Sequence, residues 1–401
     1  MSQLRLSSRL DLVKPSITLA VTAKAAQLKA QGVDVTSFGA GEPDFDTPTH
    51  IKDAAKLALD KGQTKYTHIA GTPELRTAIC AEMRLAHGLD VTPDQVIVSC
   101  GAKHSLYNLF QALLNTGDEV VIPAPYWVSY PDMVLLAGGT PVTVPTSAAD
   151  GFLMSPAQLE AAITPRTRAV IINSPSNPTG AVYPRAALGA LVEVALRHKI
   201  LIISDEIYRR LAYDGPVTSP ASFGPEAARA TILIDGFSKT YSMTGWRLGY
   251  TVGPKRLIEA MTTIQGQSTS NPTSIAQAGA VAALTGPSDE PVEKMRLEFA
   301  HRRDVMVNKL NAMPHVKCLR PGGAFYAFPD LGAYAGKAPP GGKPLADDVA
   351  LADWLLTAHK VAVVPGTGFG APGFVRLSYA TSLAAITIGL ARIASGLAEL
   401  S

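Results

Sequence analysis

The stretch Thr231-Ile-Leu-Ile-Asp-Gly-Phe-Ser-Lys-Thr-Tyr-Ser-Met-Thr-Gly-Trp-Arg-Leu-Gly-Tyr250 decides how this chain is read. Thr231-Ile-Leu-Ile234 is an apolar, β-branched run of strand length, and a second β-like run leads through Val252. Between them lies a loop of small and hydroxyl residues that carries one lysine, Lys239, and eight residues later Arg247. An ordinary lysine is protonated at neutral pH and is a poor nucleophile. It reacts only where desolvation and neighbouring cations lower its pKa. The hydroxyls of Ser238, Thr240 and Ser242, with the fixed charge of Arg247, suit a phosphate anchored beside that amine. Standing alone, the loop reads equally well as a basic surface turn, so its surroundings have to decide.

Outward from the loop the pattern alternates. Strands are predicted over 95–99, 119–122, 140–144, 169–172 and 200–204, with helices over 103–114, 127–136, 156–163 and 185–197 between them. Short apolar strands alternating with helices predict an α/β fold, its mostly parallel sheet covered by helices on both faces. Ahead of this region, Lys14-Pro-Ser16 reads as a turn and helix cap before a helix from Ile17 to about Gln31. A strand over 33–38 then enters the ordered loop Gly39-Ala-Gly-Glu-Pro-Asp-Phe-Asp-Thr-Pro48, followed by helices over 49–61 and 73–85. Past the lysine loop come helices over 255–264 and 274–284 and a long charged one over 290–310. The last ninety or so residues change character. They read as strands over 315–319 and 324–328, a Gly/Pro-rich loop over 332–343, a helix over 346–358, strands over 361–364 and 374–379, and a helix over 383–400. The expected organisation is a large domain over 48–299 and a smaller α+β domain built from 1–47 and 300–401.

Composition narrows the function classes. The 401 residues are 47% apolar and 17% charged, with a net charge of +3 and no Lys/Arg block, so neither nucleic acid nor an anionic membrane is expected as a partner. The three cysteines, Cys80, Cys100 and Cys318, form no CxxC pair and suggest free thiols in a reducing compartment. No metal-ligand spacing is found among the eight histidines, no apolar run reaches transmembrane length, and the N-terminus lacks a signal-peptide core. A cytoplasmic protein without a catalytic metal is the expectation.

In open α/β sheets, ligands collect at the carboxyl ends of the strands. Four polar clusters fall at such ends: Cys100-Gly-Ala-Lys103, which opens a helix and can hold an anion on backbone N–H groups; Asn173-Ser-Pro-Ser-Asn-Pro-Thr-Gly180; Ser204-Asp-Glu-Ile-Tyr208; and Ser238-Lys239. Singly each is ordinary. Asp205 could cap a helix, Asn177-Pro178 could be a turn, Trp127 could be core, and Arg376 could be a surface arginine. Together they would hold a phosphorylated heteroaromatic aldehyde that forms a Schiff base with the lysine, and pyridoxal 5'-phosphate is that molecule. Two decoys drop out. Gly366-Thr-Gly-Phe-Gly370 has the wrong glycine spacing and is followed by a strand, and Gly101-Ala-Lys103 lacks the remaining glycines of a P-loop.

The assembled motifs resemble the fold-type I pyridoxal-phosphate aminotransferases of class I/II along essentially the whole chain, and most closely the aspartate/prephenate aminotransferase subgroup. The resemblance rests on Ala40-Gly-Glu-Pro-Asp-Phe-Asp-Thr-Pro48, Pro123-Ala-Pro-Tyr-Trp-Val-Ser-Tyr130, Asn173–Gly180, Ser204–Tyr208, Phe237-Ser-Lys-Thr240 with Met243-Thr-Gly-Trp-Arg247, and Val375-Arg-Leu-Ser-Tyr-Ala-Thr381. It implies that Lys239 is the Schiff-base lysine and proton shuttle, that Asp205 pairs with the pyridine nitrogen, and that Asn177 and Tyr208 bond the phenolic oxygen. Trp127 would stack on the ring. Ser238, Arg247 and the backbone of Gly101 and Ala102 would hold the phosphate, joined by Tyr66 from a second subunit of a homodimer with shared sites. Arg376, helped by Gly41, would clamp the substrate α-carboxylate. Lys103 is tied by the resemblance to acidic side-chain recognition, and Lys14 and Thr18 to prephenate. Lys14 also reads as a solvated lysine at a helix start.

The implied reaction is transfer of the amino group of L-aspartate to 2-oxoglutarate, with prephenate to arogenate as a second reaction. Alternatives on the same fold are an alanine-, aromatic- or methionine-directed transaminase or a carbon–sulfur lyase. A non-enzymatic regulator domain would need a DNA-binding segment ahead of the first helix, where only about a dozen residues stand.

Overall fold

A computed structural model describes residues 4–15 and 17–401, so the expected cap at Ser16 lies outside the described residues. Seven strands form the central sheet: β1 (Val96–Ser99), β2 (Glu119–Ala124), β3 (Thr140–Pro145), β4 (Thr167–Asn173), β5 (Leu201–Asp205), β6 (Thr231–Gly236) and β7 (Gly249–Val252). Their order is β1-β7-β6-β5-β4-β2-β3, and every neighbouring pair is parallel except β6–β7 and β7–β1. Alternation along each strand explains why both faces are covered. Ile171 and Ile203 join the core on one face, whereas Val170, Ile172 and Ile202 join the core on the other.

Register brings the functional ends together. Asn173 stands opposite Asp205, and Asp205 opposite Ile234, so β4, β5 and β6 terminate side by side. The antiparallel β7 returns from the lysine loop and sets Gly249 opposite both Gly236 and Ser99. A Cβ on Gly249 would lie 2.2 Å from the amide nitrogen of Ala102, so only glycine lets the helix after β1 start this close to the sheet.

Three further strands, β8 (Tyr326–Ala327), β9 (Val364–Pro365) and β10 (Val375–Ser378), make a small antiparallel sheet in the order β9-β10-β8. Its core includes Phe38, Phe299, Phe325, Leu377 and Ile386, so the N-terminal segment packs with the C-terminal third of the chain. Tyr208 and Leu211, which follow β5, are buried in that same core.

The ends of the sheet elements depart from the sequence reading. Of the strand expected over 33–38, only Thr36–Ser37 pairs, parallel to Val361–Ala362. The strand expected over 361–364 is split, because Val364–Pro365 joins a different sheet. No strand forms over 315–319. Pro314 and the left-handed His315 (φ +56°) break the extension, and only Lys317 makes a single bridge, to Asp330. A short helix, Pro225–Ala230, was not expected; it begins with proline in its first turn after Gly224. Of the three free cysteines only Cys318 is buried.

Candidate active site

A cavity of about 430 Å³ opens at the carboxyl ends of β4, β5 and β6 and is roofed by helix α1 (Ile17–Ala30) and the loop that begins at Gly39. Lys239 sits in it, three residues beyond β6, with its amine donating to the carbonyl of Gly41 and lying 5.8 Å from the ring centroid of Phe325. Burial lowers the amine's pKa to about 8; Glu42 opposes the shift, and the cations Arg376 and Arg247 reinforce it. Glu42 is held in place by the Thr244 hydroxyl, which donates to it at 2.8 Å. Two non-glycine residues of the lysine loop, Ser242 (φ +51°) and Arg247 (φ +56°), hold left-handed backbone. Such strain persists only where surroundings over-determine it. Here Thr47 donates to the Ser242 carbonyl at 2.6 Å, and the Trp246 indole donates to Thr47 at 3.1 Å.

Asp205, the last residue of β5, is buried beside the amine. Tyr130 donates to its carboxylate at 2.5 Å and the Ile207 amide at 3.3 Å, yet burial pushes its pKa up to about 6. Asn173 donates to the Asp205 carbonyl at 3.0 Å and accepts from the Asn177 amide at 2.9 Å, which ties the β4 and β5 clusters together. The Tyr208 hydroxyl lies 2.9 Å from that of Tyr326. Trp127 stands edge-on to Tyr130, 5.3 Å between centroids, and so fixes one wall.

Two anion seats flank this centre. At the first, helix α2 (Ala102–Leu113) begins at Gly101, whose φ is +96°; a Cβ there would lie 2.5 Å from an Arg247 guanidinium nitrogen. Arg247 donates to the carbonyls of Thr244 (2.9 Å) and Cys100 (3.4 Å) and makes no ion pair among the described residues. Ser238 lines the same cavity, and the helix start is a cradle of donors sized by a glycine. At the second seat, Arg376 is only 2% exposed and pairs with no carboxylate among the described residues. It donates to Asn177 at 3.0 Å and to the Gly39 carbonyl at 3.1 Å, and its Nε has no partner among the described residues. Burying a cation without its anion is costly, so the geometry suits an incoming carboxylate. Lys103 lies nearby, its amine 4.8 Å from the Trp127 ring centroid and lowered in pKa by burial and Arg247.

Of the residues singled out in the sequence, Thr18, Gly41, Ala102, Lys103, Trp127, Asn177, Asp205, Tyr208, Ser238, Lys239, Arg247 and Arg376 line this one cavity, with Gly101 against Arg247. The Thr18 hydroxyl is buried without a partner among the described residues. Lys14 is exposed and does not line the cavity, and Tyr66 is 91% exposed on a loop outside it. Sequence reasoning missed Tyr130, Tyr326, Glu42 and Asn173. Three of these sit inside motifs that were quoted whole, so only their contacts were hidden.

A strand-end cavity holding a lysine of lowered pKa and two arginines suits an α/β enzyme for small anionic molecules. The profile of the family described as Aminotransferase class I and II matches residues 33–393, and the chain belongs to that family. It is 53% identical to an aspartate aminotransferase of Geobacillus stearothermophilus over 97% of this chain and 98% of the other. It is 54% identical to an aspartate/prephenate aminotransferase of Cereibacter sphaeroides, covering 99% of each. Among solved structures, an aspartate aminotransferase from Rhizobium meliloti superposes with a TM-score of 0.96 at 45% identity over 100% of both chains. That of Thermus thermophilus with maleate gives 0.92 at 47% identity, over 98% of this chain and 100% of the other.

Proposed function

We propose that this aminotransferase transfers the amino group of L-aspartate to 2-oxoglutarate, with pyridoxal 5'-phosphate as cofactor. The observation that carries the reading is Arg376: a buried guanidinium paired with no carboxylate among the described residues, in the same cavity as a lysine of lowered pKa. Relatives named for aspartate, and a neighbour solved with the dicarboxylate maleate, support an acidic substrate.

The donor set fits the cofactor. The Gly101–Arg247 cradle, the Ser238 side chain and the start of α2 match a phosphate, and a buried carboxylate matches a protonated ring nitrogen. When bound, the cofactor supplies an electron sink for the Cα–H electrons of the amino acid. Lys239, its pKa lowered to about 8, would be the nucleophile for the cofactor's aldehyde and the base that moves a proton from the substrate. Asp205 would bear the negative charge opposite the ring nitrogen, oriented by Tyr130. Tyr208 and Asn177 would be the donors for the ring oxygen, and Trp127 would cover a ring face, all three lining the cavity. Arg376 takes the α-carboxylate on its paired guanidinium donors, and its contact with Asn177 links carboxylate binding to the ring. Lys103 is the cation assigned to the distal carboxylate.

Prephenate as a second amino acceptor is favoured by the Cereibacter relative's name and by the unpartnered Thr18 hydroxyl in the cavity roof. Tyr66 is assigned to the phosphate of a second subunit in a homodimer. The site residues and the two domains, 48–299 and 1–47 with 300–401, belong to the same reading, as does a cytoplasmic location, which three unbridged cysteines support. Among the described residues no helix is long and apolar enough to cross a membrane.

Spectrophotometric half-reactions test this. Loaded enzyme should lose its visible band with aspartate or glutamate and not with alanine, phenylalanine or methionine, and the amino form should recover it with 2-oxoglutarate and prephenate. Lys239→Ala should never form the lysine-linked band. A band that persists in that variant, or bleaching by alanine alone, would overturn the assignment.

A further inference from the structure

Tyr326 belongs to none of the roles given so far, yet it touches two of them. It is fully buried on β8. Its hydroxyl lies 2.9 Å from that of Tyr208, and its ring centroid lies 4.4 Å from the Arg376 guanidinium carbon. A Cβ built on Gly41 would stand 3.6 Å from the same hydroxyl, so the tyrosine also abuts the carbonyl-bearing loop over Lys239. One side chain from the small sheet therefore meets the proposed ring-oxygen donor, which follows β5, and the proposed carboxylate clamp on β10.

Either hydroxyl could donate in this pair, and we infer the direction from charge. Both phenols are held well protonated by burial; Arg376 lowers both, but the carboxylate Asp205 raises Tyr208 alone, which leaves Tyr326 the stronger acid. The stronger acid donates and the weaker accepts. Tyr208 then accepts from Tyr326 and has its own proton free to point into the cavity. A phenol that accepts one hydrogen bond is a better donor of the next.

We propose that Tyr326 is a positioning residue with two separable parts. Its hydroxyl aims and strengthens Tyr208 toward the ring oxygen of the cofactor, and its ring face holds the Arg376 guanidinium for the substrate carboxylate. The inference rests on the pyridoxal-phosphate reading. The charged and titratable groups around the lysine whose link is followed are Glu42, Arg376, Arg247 and Asp205, none of which is altered by the variants.

Tyr326→Phe removes the hydroxyl and keeps the ring; Tyr326→Leu removes both. A donor to the ring oxygen stabilises its ionised form and lowers the pKa at which the lysine-linked visible band titrates. In Tyr326→Phe that pKa should rise by about half a unit or more, while the dissociation constant for maleate, read from the same band, changes less than about twofold. In Tyr326→Leu the maleate dissociation constant should rise about tenfold as well, as expected for losing a desolvated cation–π contact. An unshifted band in Tyr326→Phe, with unfolding temperature unchanged, overturns the hydroxyl part. Equal loss of maleate affinity in both variants overturns the ring part. If wild-type chain mixed with pyridoxal 5'-phosphate gives no titrating band at all, the cofactor reading itself fails, and that outcome is separate from the other two.

Discussion

Asp205 is 4% exposed, and its carboxyl group is pushed up to about 6 because burial outweighs the hydrogen bonds from Tyr130 and the Ile207 amide. Its folded pKa is therefore above the unfolded value of 3.8. The folded, cofactor-free chain binds this proton more tightly than the unfolded chain. The group costs no stability below about pH 3.8; its penalty grows as pH rises from there and is complete above about 6. Asp205→Asn keeps an acceptor for Tyr130 and removes the ionisation. At pH 8 the variant should unfold with a free energy on the order of 2 to 3 kcal/mol higher than the parent, and the gap should close as pH falls toward 4. Denaturant titrations of cofactor-free protein at several pH values check this, and a variant less stable than its parent at pH 8 would sink it. The same substitution should remove transamination, because an amide cannot hold a proton on a ring nitrogen.

Residues of this kind were legible in the sequence where their chemistry is unusual for their neighbourhood. Lys239 in a hydroxyl loop and Arg376 within an apolar strand are examples. Tyr130 and Tyr326 were not legible, since a tyrosine in a mixed apolar segment looks like core. Their roles depend on contacts with residues 75 and 118 positions away.

At the scale of elements, the strand ends are fixed by a buried charge cluster behind the sheet. Arg209, in the turn after β5, pairs with Asp235 on β6 at 2.7 Å and with Glu82 on the helix Pro73–His87. Asp235 also accepts from the Tyr250 hydroxyl at 3.1 Å and from the Gly236 amide at 2.6 Å, so β5, β6 and β7 are tied at their ends. The side chains of Arg209, Asp235 and Glu82 are 10%, 3% and 12% exposed. Removing one partner from such a cluster leaves uncompensated buried charge, whereas making it adds little net stability. Arg209→Ala should therefore destabilise the chain by about 3 to 5 kcal/mol and loosen cofactor retention in parallel, as measured by chemical unfolding and by absorbance after dialysis. A loss below about 1 kcal/mol, the range of exposed ion pairs, would show that water reaches the cluster.

The sheet strands were legible because their apolar runs alternate with helices at regular spacing. The segment 315–319 was misread because Val316 and Cys318 are buried as a strand's would be. Burial here comes from packing against the small core, while the positive φ at His315 prevents pairing. Composition reports burial, and only the backbone angle separates strand from coil at that point.

On the scale of the whole molecule, the largest mismatch between side-chain chemistry and position is at the N-terminal segment and the Tyr66 loop. Leu4, Leu6, Leu10, Leu12 and Leu19 are 87%, 67%, 50%, 54% and 70% exposed, and Tyr66 is 91% exposed. Exposed apolar groups in one segment suit a protein partner. The Tyr66 loop is firmly built: Gln277 donates to Thr67 at 3.2 Å and accepts from the Thr72 amide at 2.7 Å, and Gln265 donates to the Ile69 carbonyl at 2.7 Å. An aromatic held outward on a braced loop loses little further entropy when it is covered. These features argue for a second copy of the chain, with Tyr66 donating to the phosphate held by the other copy. The expected outcome is a two-chain species in sedimentation. Tyr66→Phe should keep that mass but weaken cofactor binding about tenfold, the loss of one hydrogen bond to a charged group. Substituting Leu4, Leu6, Leu10 and Leu12 by serine should shift the species toward one chain and release cofactor with it, because each site would then lack its tyrosine. If the single-chain form retains cofactor as tightly as the parent, the cavity is complete within one chain and Tyr66 has no part in it.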